Sequence, residues 1–110
     1  MISEREYEER AYPELRALLR ALDDLELDEV EAELSSDILN IEFEDGSVYV
    51  VNSHRAARQI WMAANRTAWH FDWVEARQAW IDDKRGEELW AAVAAAIAER
   101  LGRPVQLKRS

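Results

Sequence analysis

The chain contains no cysteine, and of its 110 residues only 3 are glycine and 2 are proline. The first absence removes disulfides, thiolate zinc sites, thiolate-held iron–sulfur clusters and cysteine nucleophiles, so any bound metal must sit on oxygen or imidazole. The scarcity of Gly and Pro, beside 48% hydrophobic and 34% charged residues, excludes collagen-like and low-complexity architectures and describes a folded globule. Bases are also in deficit: 14 against 23 acids leaves a formal net charge of −9, a poor match for a phosphate backbone, which argues against nucleic acid as a partner. Long apolar runs are missing too. The run Ala91 to Ala98, even with Leu89 and Trp90 before it, falls far short of the roughly 20 residues a bilayer-spanning helix needs. The N-terminus opens on Ser3, Glu4, Arg5 and Glu6 rather than on a signal-peptide pattern. The expectation is a single domain over residues 1–110, cytoplasmic and without a membrane partner.

Catalytic signatures are equally scarce. There is no Gly-rich phosphate loop, no serine with a plausible His and Asp partner, and no HxxE or HxH spacing. No catalytic residue is therefore assigned, and the chain is expected not to be an enzyme.

What is present is unevenly placed. Residues 1–45 carry 16 acids and 4 bases, a net −12, whereas residues 46–110 carry 7 acids and 10 bases, a net +3. Asp23, Asp24, Glu26, Asp28, Glu29, Glu31 and Glu33 fall within eleven positions that hold no Lys or Arg. Between Gly46 and Phe71 the balance reverses, with Arg55, Arg58, Arg66 and both histidines but no acid.

The hydrophobic periods predict the elements. Ser3 with Glu6 forms a capping box, and Tyr7, Ala11, Leu15, Leu18, Leu19, Leu22 and Leu25 then recur at helical spacing. Pro13 lies inside that stretch and is expected to kink the helix. After Asp28 the period becomes two, with Val30, Ala32 and Leu34 alternating with Glu29, Glu31 and Glu33, a strand with an acidic outer face. Leu39, Ile41 and Phe43 repeat the alternation, Asp45-Gly46 supplies a hairpin turn, and Val48 to Val51 returns. Further strands are expected at Gln59–Ala63, Ala68–Trp73 and Gln78–Ile81. From Glu87 a second helix carries Leu89, Val93, Ile97 and Leu101 on one stripe and stops at Gly102 and Pro104. This order describes an α+β fold, an antiparallel sheet with the N- and C-terminal helices on one face and water on the other.

Two constellations stand out. A charge run is most simply a solvated face that keeps a protein soluble. Seven carboxylates at a helix end and along the next strand nevertheless repel one another and oppose the helix macrodipole. Multivalent cations would relieve that repulsion, because carboxylate oxygens are hard ligands for Fe, Mn, Mg or Ca. No EF-hand spacing and no accompanying histidine occur, so weak, multiple and poorly selective binding is expected. The second constellation is Trp61, which has opposite parity to Ile60 and Met62 and so faces away from the helices, beside Arg55 and Arg58, unless neighbouring side chains cover it. Trp69, Trp73, Trp80 and Trp90 read as packing residues, and His70 as a structural residue more readily than a ligand or base.

The segments Ile38-Leu39-Asn40-Ile41-Glu42-Phe43-Glu44-Asp45-Gly46-Ser47, Asn52, Gln59-Ile60-Trp61, Trp69-His70-Phe71-Asp72-Trp73 and Trp80 together strongly resemble the frataxin family in its bacterial CyaY-type form. The likeness runs from about Ser3 to Leu107, with Gln-Ile-Trp after an Asp-Gly hairpin its most specific part. It implies a frataxin-like α-β sandwich and an iron-binding protein of iron–sulfur cluster assembly. Such a protein works with a cysteine desulfurase and a scaffold protein as iron donor or as regulator of the desulfurase. The resemblance implies weak, reversible Fe(II)/Fe(III) binding on an acidic ridge, here Asp23, Asp24, Glu26, Asp28, Glu29, Glu31 and Glu33. It implies partner contact through Trp61 with Asn52 and Gln59, in a monomer with iron-induced oligomerisation as an open question. Two departures are visible: Leu19 and Arg20 stand where the family often has acids, and Ser53-His54-Arg55-Ala56 replaces a segment that commonly contains proline. The alternatives are a metal-independent acidic module regulating the desulfurase and, with less support, a ferroxidase or iron store, for which no inward Glu-x-x-His motif is present.

Overall fold

The computed structural model describes residues 2–109. The first helix, α1, spans Glu4–Asp24, and the Ser3 hydroxyl accepts the Glu6 N–H at 3.1 Å, as the capping box requires. It buries Tyr7, Ala11, Leu15, Leu18, Ala21 and Leu22, while Leu19 and Leu25 of the expected stripe stay half-buried. The helix runs as one element through Pro13, which lies on the exposed side, where water can serve the carbonyl that the missing N–H leaves unpaired.

Seven strands follow in a simple meander: β1 (Val30–Ser35), β2 (Ile38–Phe43), β3 (Val48–His54), β4 (Gln59–Ala64), β5 (Thr67–Val74), β6 (Ala79–Asp82) and β7 (Glu87–Glu88). Each is antiparallel to the next, and spatial order equals chain order. The two-residue β7 has no counterpart in the sequence expectation, because so short a segment shows no period. The expected strand from Gln78 begins one residue later, since Gln78 itself is left-handed at φ 50°. The second helix, α2 (Leu89–Leu101), starts on the Glu88 carboxylate, which accepts the Trp90 and Ala91 N–H groups, and ends on left-handed Gly102.

Helix α1 lies across β1 to β4, and α2 lies beside β6 and β7. Strand alternation sends Leu39, Ile41, Val51, Ile60, Met62 and Phe71 into the layer beneath the helices, each at most 2% exposed. Burial of this kind contributes about 1.5–3 kcal/mol per large side chain, so this layer is the main source of stability. Trp80 and Trp90 join it, whereas Trp69 and Trp73 are half-buried with Arg85 and Arg10 stacked over their rings. Among the described residues no helix lies on the opposite sheet face, as expected for this α+β class, and Trp61 lies on it. Among the described residues, no helix is long and apolar enough to cross a membrane.

Candidate functional site

The register of β1 and β2 decides where the carboxylates meet. Only Ser36 and Asp37 separate the two strands, so Ser35 faces Ile38 and, counting back, Glu31 stands directly opposite Glu42 and Glu33 opposite Asn40. Val30, Ala32 and Leu34 face Phe43, Ile41 and Leu39 on the covered side, which turns Glu31, Glu33 and Glu42 onto the open face. Like charges directly opposite on one sheet face destabilise the pairing.

The acids gather around two adjacent hollows. One, of about 270 Å³, is lined by Asp23 and Glu26 together with Glu31 and the apolar Leu22, Leu27 and Val30. The other, of about 350 Å³, is lined by Asp28, Glu29 and Glu31 together with Glu42 and Glu44. Glu31 is common to both. Asp24 lines neither hollow, and nor does Glu33, so these two of the seven expected residues stand apart. Glu42 and Glu44 were outside the expected set, although the two-residue link at 36–37 is the signal that would have added Glu42.

The polarity of α1 adds to the negative potential. Asp23 and Asp24 are exposed at its C-terminus, and its last turn holds no base. The carbonyl end of the macrodipole therefore points toward a cluster of anions, an arrangement unfavourable by a few tenths to about 1 kcal/mol per charge at low salt. Bases from the end of α2 do reach the ridge: Arg103, just beyond the α2 cap, pairs with Glu29 at 2.6 Å, and Arg100 pairs with Asp45 beside Glu44. The Arg103 guanidinium hydrogen bond, with a backbone N–H, holds the Glu29 carboxyl below its ordinary value. No group of three or more His, Asp or Glu side chains converges on a ready ligand set among the described residues. The donors are hard oxygens on exposed side chains, which suits multivalent cations held loosely and with water still attached.

The second constellation lies three strands away. Asn52 on β3, Trp61 on β4 and His70 on β5 form one cross-strand row on the open face. The indole N–H of Trp61 donates to Gln59 Oε1 at 2.7 Å, and Gln59 Nε2 donates to Asp72 Oδ1 at 3.0 Å. Asn52 Nδ2 donates to the Ser53 carbonyl at 3.0 Å. The structure thus brings Asn52, Gln59 and Trp61 together. It does not bring the expected arginines: Arg55 pairs with Glu8 at 2.8 Å and Arg58 donates to the Ile2 carbonyl at 3.1 Å, both near the start of α1. Their left-handed turn at Arg58 sends this stretch toward the helix. The neighbours of Trp61 are instead two imidazoles, with His54 stacked at 3.7 Å and His70 at 4.3 Å between ring centroids. His70 is accordingly an exposed residue whose ring stacks on Trp61, while its backbone N–H donates to Asp82 Oδ2 at 3.0 Å.

On the covered side the phenol of Tyr7 donates to the Gln59 carbonyl at 2.8 Å, and burial pushes its titration up. This ties α1 to the strand that carries Trp61.

Comparison with known proteins agrees with this architecture. Residues 1–103 match the model of the frataxin-like domain. The chain is 36% identical over 106 residues to the iron–sulfur cluster assembly protein CyaY of Paraburkholderia phymatum, covering 96% of this chain and 98% of that one. It is 34% identical over 84 residues to the protein of the same name from Azotobacter vinelandii, covering 76% of each. A solved frataxin from Psychromonas ingrahamii superposes with a TM-score of 0.86 over 98% of this chain and 100% of that one, at 21% identity, a likeness of fold. With its helix–meander–helix order, its acidic first hairpin and its outward Gln-Ile-Trp strand, the chain belongs to the frataxin family, in its bacterial CyaY-type branch.

Proposed function

We propose that this chain takes part in iron–sulfur cluster assembly, carrying Fe(II) or Fe(III) as weakly held cargo on the acidic hollows and meeting a cysteine desulfurase and its scaffold protein as iron donor or iron-dependent regulator. The observation that carries the reading is the placement of Glu31 opposite Glu42, which sets like charges face to face and puts Glu31 in both hollows. A folded protein retains such repulsion only against a stability cost, and a multivalent cation relieves it. Because the donors are exposed and not preassembled, ions exchange readily, which suits a carrier that must release what it holds. Exposed charges are screened over about 8 Å at physiological ionic strength, so affinity falls as salt rises. Discrimination among hard divalent ions is expected to be poor.

A second reading has its own support. Arg103 already occupies Glu29, and what one guanidinium does within the chain a basic partner surface could do from outside. In that reading the acids are a docking surface regulating the desulfurase, and iron is incidental.

The triple amide variant D23N/E31Q/E42Q separates the two. Anaerobic calorimetry would measure its Fe(II) affinity and, in parallel, its affinity for the desulfurase without iron. Loss of iron binding with desulfurase affinity retained supports the carrier. Loss of desulfurase affinity, with cluster assembly following partner occupancy alone, supports the docking module.

A further inference from the structure

The indole of Trp61 is covered on both sides. His54, at the end of β3, and His70, on β5, flank β4, and their rings lie nearly parallel to the indole, with interplanar angles of 13° and 19°. Each residue is anchored separately, His54 through its ring, His70 through its backbone and Trp61 through its indole N–H. His54 Nδ1 accepts the Ala57 N–H at 3.3 Å, capping the turn at Arg55–Ala57, which leaves the proton of the neutral imidazole on Nε2. The backbone N–H of His70 donates to Asp82 Oδ2 at 3.0 Å, and Asp82 is 3% exposed and also caps its own turn through the Arg85 N–H. The indole N–H is engaged by Gln59, itself anchored on Asp72. An exposed tryptophan without such neighbours samples several rotamers, and docking then has to select one.

We propose that His54 and His70 are positioning residues for Trp61, clamping its indole in one rotamer so that a partner meets the edge of a pre-ordered three-ring stack. This rests on the reading of Trp61 as a partner contact. It adds a geometric consequence: a partner arginine or aromatic ring cannot stack on the indole without displacing an imidazole. It also gives the unusual Ser53-His54-Arg55-Ala56 segment a task, since His54 contributes one side of the clamp.

The test uses the full chain, the purified desulfurase and the scaffold protein as probes, and ¹⁵N relaxation of the Trp61 indole. All variants change partly or fully exposed side chains, and backbone amide spectra check their fold. In H54A/H70A the indole is expected to lose order, and affinity for the partner that W61A weakens is expected to fall about two- to tenfold, the range for freeing one interface side chain. The planar replacement H54F/H70F is expected to restore both order and affinity. Unchanged affinity in H54A/H70A, where W61A does weaken binding, overturns the proposal and leaves the docking role of Trp61 intact. An ordered indole with no recovery of affinity in H54F/H70F also overturns it, because the imidazoles would then touch the partner directly. Wild-type affinity in W61A removes the docking reading itself and the proposal with it.

Discussion

The chain writes nearly the same five residues twice, Ala57-Arg58-Gln59-Ile60-Trp61 and Ala76-Arg77-Gln78-Ala79-Trp80, and places their tryptophans on opposite faces of the sheet. Both stretches leave a 3₁₀ turn through a left-handed residue and enter a strand. In the first the left-handed residue is Arg58, and Trp61 is the third residue of β4. In the second it is Gln78, and Trp80 is the second residue of β6. One residue of offset in a period-two element reverses the face. Trp80 is therefore 1% exposed, packed edge-on against Tyr7 at 6.0 Å, while Trp61 stands on the open side between two histidines. Their indole N–H groups differ accordingly: that of Trp61 is bonded to Gln59, and that of Trp80 is buried with no partner among the described residues. Side-chain identity alone does not separate a core residue from a surface one; the position of the turn does.

Breaking the covered side should have the largest effect. W80A is expected to destabilise the fold by about 3–5 kcal/mol through lost burial and the cavity left behind, read by chemical denaturation with an unchanged m-value. W61A is expected to lie below about 1.5 kcal/mol in the same assay; equal losses at the two positions would erase the contrast. On the open side, E42Q removes one of two facing charges, so a gain of roughly 0.2–1 kcal/mol is expected, together with weaker Fe(II) uptake in calorimetry.

The smallest effect concerns the ion pair at the ridge. R103A frees Glu29 and is expected to raise divalent-ion affinity by a few fold in low salt. The Glu29 carboxyl is held below its ordinary value by Arg103. The stabilisation from this pair is thus complete above the ordinary carboxylate range and is lost as pH falls through the lowered folded value. A comparison of stability against pH should show R103A lacking that part of the acid-side loss.

Much of this arrangement is legible in the residues. Helical spacing from Tyr7 to Leu22 and strict alternation over Glu29 to Leu34 and again over Leu39 to Phe43 leave few other ways to bury the apolar side. The two layers and the open face of Trp61 follow from that. The left-handed turns are less legible, because glycine is scarce and, among the described residues, six that are not glycine, Arg58 and Gln78 included, adopt positive φ instead. With Asn65 and Arg66 both positive, a two-residue turn puts Ala64 opposite Thr67 and hence Trp61 opposite His70. The stack was therefore implicit in a turn that the sequence marks only by Asn. Arg103 against Glu29, and Arg109 against Glu14 and the Trp90 ring, join residues far apart in the chain that no local period relates.

On the proposed reading the first hairpin, and not the end of α1 alone, collects iron. An anaerobic Fe(II) titration followed by amide line broadening tests it most directly. Selective loss of signals around Asp23 to Glu31 together with Glu42 to Glu44 is the predicted result. Broadening that spares Glu42 to Glu44, or that centres on His54 and His70, would contradict it.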